Sequence, residues 1–119
     1  MSSSGQRLRI EVVDTTRDCG AAGMRVDVFT LGAQARKLCG GVVNAEGVVD
    51  AAVLASDAVV PGEYEVVFHI GAYFRGRVAN DDLPFLDTVP FRFALPSTRR
   101  YLLPVRVAPS AFALASPTR

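Results

Sequence analysis

The sequence predicts an all-β sandwich of seven to eight short strands with one short helix. Three observations carry that prediction. Several runs alternate apolar and polar residues with a period of two. Gly-, Pro-, Asn- and Asp-rich turns separate those runs at sandwich-like intervals. No strand–helix–strand alternation suggests a parallel sheet, and no internal repeat is present.

In the first run, Leu8, Ile10 and Val12 fall on one face and Arg9, Glu11 and Val13 on the other. That pattern predicts a half-buried strand over 7–14. Asp14 to Gly23 is turn-rich, broken by Asp18, Gly20 and Gly23. Met24 to Leu31 alternates again, with Met24, Val26 and Val28 opposite Arg25, Asp27, Phe29 and Leu31. Gly32 to Lys37 reads as a loop. Leu38 to Asn44 carries Gly40 and Gly41, which predicts a kinked or edge strand.

Asn44-Ala-Glu-Gly47 is a turn signal, and Val48 to Leu54 reads as a short strand or irregular crossing. Glu63 to Ile70 is the clearest strand. Tyr64, Val66, Phe68 and Ile70 share one face, with Glu63, Glu65, Val67 and His69 on the other. One or two helical turns fit between Gly71 and Gly76, and Asn80-Asp-Asp reads as a loop. Val89 to Leu95 and Tyr101 to Val107 alternate. Pro104 confines the second of these to an edge or a ladder-free position, because proline has no N–H to donate. Phe112 to Ala115 completes the set.

The chain has 119 residues, 50% of them hydrophobic and 21% charged, with net charge +1. That is enough apolar material for one packed core. Residues 7–115 read as the domain, 1–6 as a flexible N-terminus and 116–119 as a tail. The balanced charge gives no call for nucleic acid or an anionic membrane. No signal peptide or membrane span is visible, so the expected compartment is the cytoplasm. Cys19 and Cys39 there read as free thiols. With His69 the sole histidine, no metal site is expected; nor is any cofactor. Gly-rich phosphate loops and nucleophile elbows are absent.

The motif order resembles a known family. Leu8-Arg-Ile-Glu-Val-Val-Asp-Thr15 followed by Gly20-Ala-Ala-Gly-Met-Arg-Val26 looks like the first strand and turn of transthyretin-like proteins. Asn44-Ala-Glu-Gly47 is similar to their turn before the fourth strand. Gly62-Glu-Tyr-Glu-Val-Val-Phe-His-Ile-Gly-Ala-Tyr-Phe74 is similar to their fifth strand and short helix, and Tyr101-Leu-Leu-Pro104 with Ala108-Pro109 to their seventh. The resemblance spans residues 7 to about 112 and is strongest to the hydroxyisourate hydrolases. It implies a transthyretin-like sandwich, a homotetramer built as a dimer of dimers, and a central channel holding metal-independent sites. Family members open the ring of 5-hydroxyisourate there with two His residues, an Arg and a C-terminal Tyr-Arg-Gly-Ser segment.

At those positions the chain carries other residues. The resemblance sets Glu11 where the first-strand His would stand, Val48 at the Arg, and Leu102 in the His-Val-Pro motif. Ser116-Pro-Thr-Arg119 or its neighbours stand at the tetrapeptide. Alternation puts Glu11 and Arg106 on the face away from the core. Glu11 is the candidate catalytic base or orienting group. Arg106, Arg100, Val48 and Leu102 are the candidate substrate contacts. Glu11 and Arg106 could equally form an interface ion pair, and Arg9 and Arg100 read as solvated charge. His69 reads as surface or interface structure, Asp14 as a turn-former.

Three functions follow. The first is a divergent hydroxyisourate-hydrolase-like enzyme, acting on a small polar ring-containing metabolite of purine or specialised metabolism. The second is a non-catalytic binding or assembly protein with a small-molecule ligand. The third is 5-hydroxyisourate hydrolysis itself.

Overall fold

The computed structural model describes residues 7–77, 85–97 and 99–114. Among them are nine strands: β1 (Leu8–Asp14), β2 (Cys19–Gly20), β3 (Arg25–Leu31), β4 (Ala35–Val43), β5 (Val49–Asp50), β6 (Gly62–His69), β7 (Thr88–Leu95), β8 (Tyr101–Ala108) and β9 (Ala111–Leu114). A 3-10 turn spans Ala52–Ala55, and a short helix, α1, spans Ile70–Phe74. The stretches read as flexible N-terminus, Asn80 loop and C-terminal tail lie outside the described residues.

A four-stranded sheet, order β2-β1-β8-β9, packs on a five-stranded sheet, order β5-β4-β3-β6-β7. The alternation of the sequence decides which faces meet. Leu8, Ile10 and Val12 of β1 and Leu103, Val105 and Val107 of β8 are buried. They face Val26 and Val28 of β3 and Tyr64, Val66 and Phe68 of β6, also buried. Each such side chain contributes about 1.5–3 kcal/mol by leaving water. Register matters because a slip of one residue would turn this whole set to solvent.

Pairing is antiparallel except for β1 with β8, which run parallel from Leu8↔Tyr101 to Asp14↔Val107. The two strands are distant in sequence, so no local crossover helix was there to announce the parallel pair. The β8 strand lies between β1 and β9. Tyr101 N–H donates to Arg7 O at 2.7 Å. In a parallel strand, alternate residues bond to the same neighbour, so Pro104 turns its nitrogen away from β1. Described β9 ends at Leu114, opposite Val105. Pro104 therefore lies in an internal strand with no N–H required of it on the β1 side.

One loop expectation needs correction. Ala35–Lys37 belongs to β4, pairing with Leu31, Thr30 and Phe29. These residues are exposed, so their alternation carries no burial signal. The predicted kink is present, as a register shift opposite Val28 and Phe29.

The Asn44–Gly47 turn is set by its own residues. Asn44 Oδ1 accepts from Glu46 N–H at 2.9 Å and Val48 N–H at 3.1 Å. Gly47 has φ 85°, and a Cβ on Gly20 would lie 2.6 Å from Gly47 Cα. Only glycine permits that backbone approach. It lets Gly47 O accept from Val12 N–H at 2.8 Å and docks Val48 against Glu11 of β1.

Candidate functional site

The outer face of the smaller sheet gathers most of the sequence-selected residues. Pairing sets three rows across the strands. Arg9 lies beside Leu102. Glu11 lies between Val48 and Pro104. Arg106 lies between Val13 and Ala113. Arg100 is exposed just before β8 begins. Thus Glu11, Leu102 and Arg106 share one surface. Val48 reaches its margin but is only 6% exposed, so it offers a ligand little area.

Within the chain Glu11 and Arg106 do not pair with each other. Glu11 Oε2 instead accepts from Arg9 Nε at 2.6 Å. Residues two apart on a strand share a face, and the β1–β8 register puts Arg106 a row beyond Glu11. Among the described residues Arg106 makes no ion pair. It is a guanidinium with apolar neighbours on both adjoining strands, free to meet an anionic or polar planar group.

The outer face of the larger sheet is closed instead. Asp27 of β3 is only 9% exposed. His69 Nε2–H donates to its Oδ2 at 2.8 Å, since a carboxylate oxygen can only accept. Its Oδ1 makes no hydrogen bond but lies 3.3 Å from Lys37 Nζ and 3.6 Å from Arg25 Nε. Burial pushes the Asp27 carboxyl up, but the contacts from His69 and Lys37 outweigh that and hold it below its ordinary range. Cys39 is half-buried, and its thiol is pushed up by burial and by Asp27. It stays protonated at neutral pH and is a poor nucleophile.

A third carboxylate is structural. Asp14, fully buried, accepts from Tyr73 Oη at 2.8 Å, from Thr16 Oγ1 at 2.6 Å and from Thr16 N–H at 2.9 Å. Burial raises its pKa, and these bonds lower it further than burial raises it. The Tyr73 phenol is pushed up to about 12 by its own burial and by Asp14, while Arg77 stacks 4.3 Å above the ring. The bond ties α1 to the end of β1. Asp14 is the turn-former that the sequence predicts, and its side chain also continues the core parity of Leu8, Ile10 and Val12. That parity was the signal available.

Among the described residues no group of three or more His, Cys, Asp or Glu could hold a metal ion, and both cysteines are free. No helix among them is long and apolar enough to cross a membrane.

With this geometry in hand, comparison with known proteins decides the relationship. The model of the HIUase/Transthyretin family matches residues 8–114. The chain belongs to the HIUase/transthyretin family. A 5-hydroxyisourate hydrolase from Mesorhizobium japonicum is 38% identical over 112 residues, 92% of this chain and 90% of that protein. One from Deinococcus radiodurans is 36% identical over 107 residues, 88% of this chain and 90% of its own length. Among solved structures, (S)-allantoin synthase superposes with a TM-score of 0.80 at 30% identity. The match covers 91% of this chain but 42% of the synthase. Sea bream transthyretin in complex with thyroxine superposes with a TM-score of 0.80 at 20% identity, covering 94% of each chain. That last likeness speaks for the HIUase/transthyretin fold alone.

Proposed function

We propose that this protein hydrolyses 5-hydroxyisourate or a closely related oxidised purine ring, on the outer face of its smaller sheet. The single observation that carries this is the 38% identity to a 5-hydroxyisourate hydrolase across 92% of the chain. The placement of Glu11, Leu102 and Arg106 on one surface supports it. In this reading the face lines the channel of a homotetramer in the cytoplasm. Two free thiols, one exposed, suit a reducing compartment.

The chemistry asks for a group to activate water and a group to hold a polar, anionic ring. Glu11, fixed by Arg9, orients the water and takes its proton. Arg106 holds the ring oxygens through its planar fork. Arg100 adds positive charge near the mouth, and Leu102 and Pro104 pack on the ring face. Val48 acts only as a buttress for Glu11.

One observation favours a second reading, non-catalytic binding. Where the family resemblance expects histidine and arginine, the surface offers Leu102 and Val48, neither of which can move a proton.

The deciding experiment follows the decay of freshly generated 5-hydroxyisourate by absorbance, with and without the purified protein. Accelerated decay that Glu11→Gln removes supports the hydrolase. Acceleration that survives in Glu11→Gln removes Glu11 from the mechanism. No acceleration, with ring analogues still raising the melting temperature, favours the binding protein.

A further inference from the structure

At one end of the larger sheet lies a concave site that shares no lining residue with the candidate face. Thr30 pairs with Tyr64 of β6 on one side and Arg36 of β4 on the other. Directly paired residues project to the same side of a sheet, so Arg36 stands on the core side with Tyr64. Tyr64 is buried, yet Arg36 is exposed. Thr30, Gly32 and Arg36 of the β3–β4 hairpin line a cleft together with the wall Val60–Gly62. The open cleft between them has a volume of about 520 Å3. Small-molecule sites typically span about 300–1,000 Å3.

Three features of the cleft point to a ligand and to its chemistry. Arg36 is the one cation of the lining and makes no ion pair among the described residues. Glu63, the one carboxylate of the lining, alternates to the opposite face from Tyr64. Val60, 51% exposed, is one of three exposed large hydrophobic residues among those described, and it lies in this wall. Gly32 and Gly62, both in the lining, border open space: a Cβ on either would meet nothing within 4 Å. The wall is preformed as well. Tyr64 Oη accepts from Val60 N–H at 2.9 Å and donates to Val60 O at 2.5 Å. Little ordering is left for a ligand to impose.

We propose that this cleft binds a small organic carboxylate, its charge on Arg36 and its apolar body against Val60 and Pro61. A guanidinium fork matches a carboxylate through two parallel hydrogen bonds. One arginine beside an apolar wall suits a monoanion with a hydrocarbon part better than a phosphate. The site is independent of the proposed hydrolysis and would persist if that reading failed.

The test is titration of the full chain with benzoate, benzamide and inorganic phosphate, read by ligand-observed NMR and calorimetry. Benzoate should bind saturably, and benzamide and phosphate each about tenfold or more weaker. Arg36→Gln should weaken benzoate by about tenfold or more, and Arg36→Lys by less, since the charge remains but the fork is lost. Gly32→Leu should block the mouth. Both positions are exposed, so the melting temperatures should hold. Turnover of 5-hydroxyisourate, where present, should be unchanged in Arg36→Gln. The proposal is overturned if native and Arg36→Gln proteins bind benzoate alike, or if phosphate competes equally. It also fails if binding vanishes in Arg106→Leu while surviving in Arg36→Gln, or if benzoate shows no saturation at roughly ten millimolar.

Discussion

The two outer faces of the sandwich use the same residue types and finish them differently. On the larger sheet every carboxylate near the centre is met. Asp27 faces His69, Lys37 and Arg25, and Glu65 accepts from Arg92 Nε at 2.7 Å. On the outer face of the smaller sheet the one carboxylate among the described residues, Glu11, is met by Arg9, and Arg106 is left over among apolar neighbours. A face whose charges answer one another is complete as structure. A face with a spare guanidinium between Val13 and Ala113 has polar capacity still to satisfy, by a ligand or by another copy. The comparison therefore predicts that stability resides on one face and turnover on the other.

The largest expected effect tests the second half of that statement. Arg106→Leu should lower kcat/KM for 5-hydroxyisourate by about a hundredfold or more, roughly 3 kcal/mol of transition-state binding. Its unfolding free energy should stay within about 0.5 kcal/mol of native, as is usual for exposed positions. Denaturant titration beside steady-state kinetics checks both. A variant with full turnover would remove Arg106 from the site, and the two faces would no longer differ in purpose.

Asp27→Ala is the converse. It strands His69, Lys37 and Arg25 without their common anion and should cost about 2–3 kcal/mol of stability. Turnover measured well below the new melting temperature should remain near native. The same carboxyl sets an acid dependence. A group whose folded-state pKa lies below its ordinary value of 3.8 adds stability that is present above that value. That stability is lost as the pH falls through the lower, folded pKa. Asp14, held down by Thr16 and Tyr73, acts in the same direction. Stability should therefore fall steeply below about pH 4, and less steeply in Asp27→Asn. An unchanged acid limb in that variant would show that the Asp27 contacts contribute nothing.

Tyr73→Phe is a smaller change inside the core. It deletes one hydrogen bond to buried Asp14 and leaves the ring in place, for a loss of about 1–2 kcal/mol by chemical denaturation. Because the bond joins α1 to β1 and touches neither outer face, turnover should be unaffected.

Much of this was legible because half-buried strands write their orientation in a period of two. Residues 8–14, 62–69 and 101–108 show it, and their inner faces are the core. The hairpin residues Ala35–Lys37 were not legible, since both their faces are exposed. Val48 and Val49 were ambiguous for the opposite reason, as both are buried. Pairing across strands was the least visible level. Alternation placed Glu11 and Arg106 on one face, but only the parallel β1–β8 register shows that they lie a row apart. The Asp27–His69 contact likewise depends on the β3–β6 register, which no local pattern encodes. Strand faces are local properties of a sequence; ion pairs between strands are not.

The smallest stability effect is expected where the two faces are most alike, at the Arg9–Glu11 pair. Its side chains are 47% and 36% exposed. Solvent screens such a pair, and holding two long side chains in one geometry has its own entropic cost. Arg9→Ala should thus change unfolding free energy by no more than about 0.5 kcal/mol, within the scatter of a denaturant titration. The informative readout is kinetic. If Arg9 fixes the Glu11 carboxylate for work on water, its removal should lower kcat and leave KM nearly unchanged, and Arg9→Lys should restore part of the loss. If the pair only solvates the surface, neither constant moves, and Glu11 joins Asp27 as a carboxylate whose role ends with its partner.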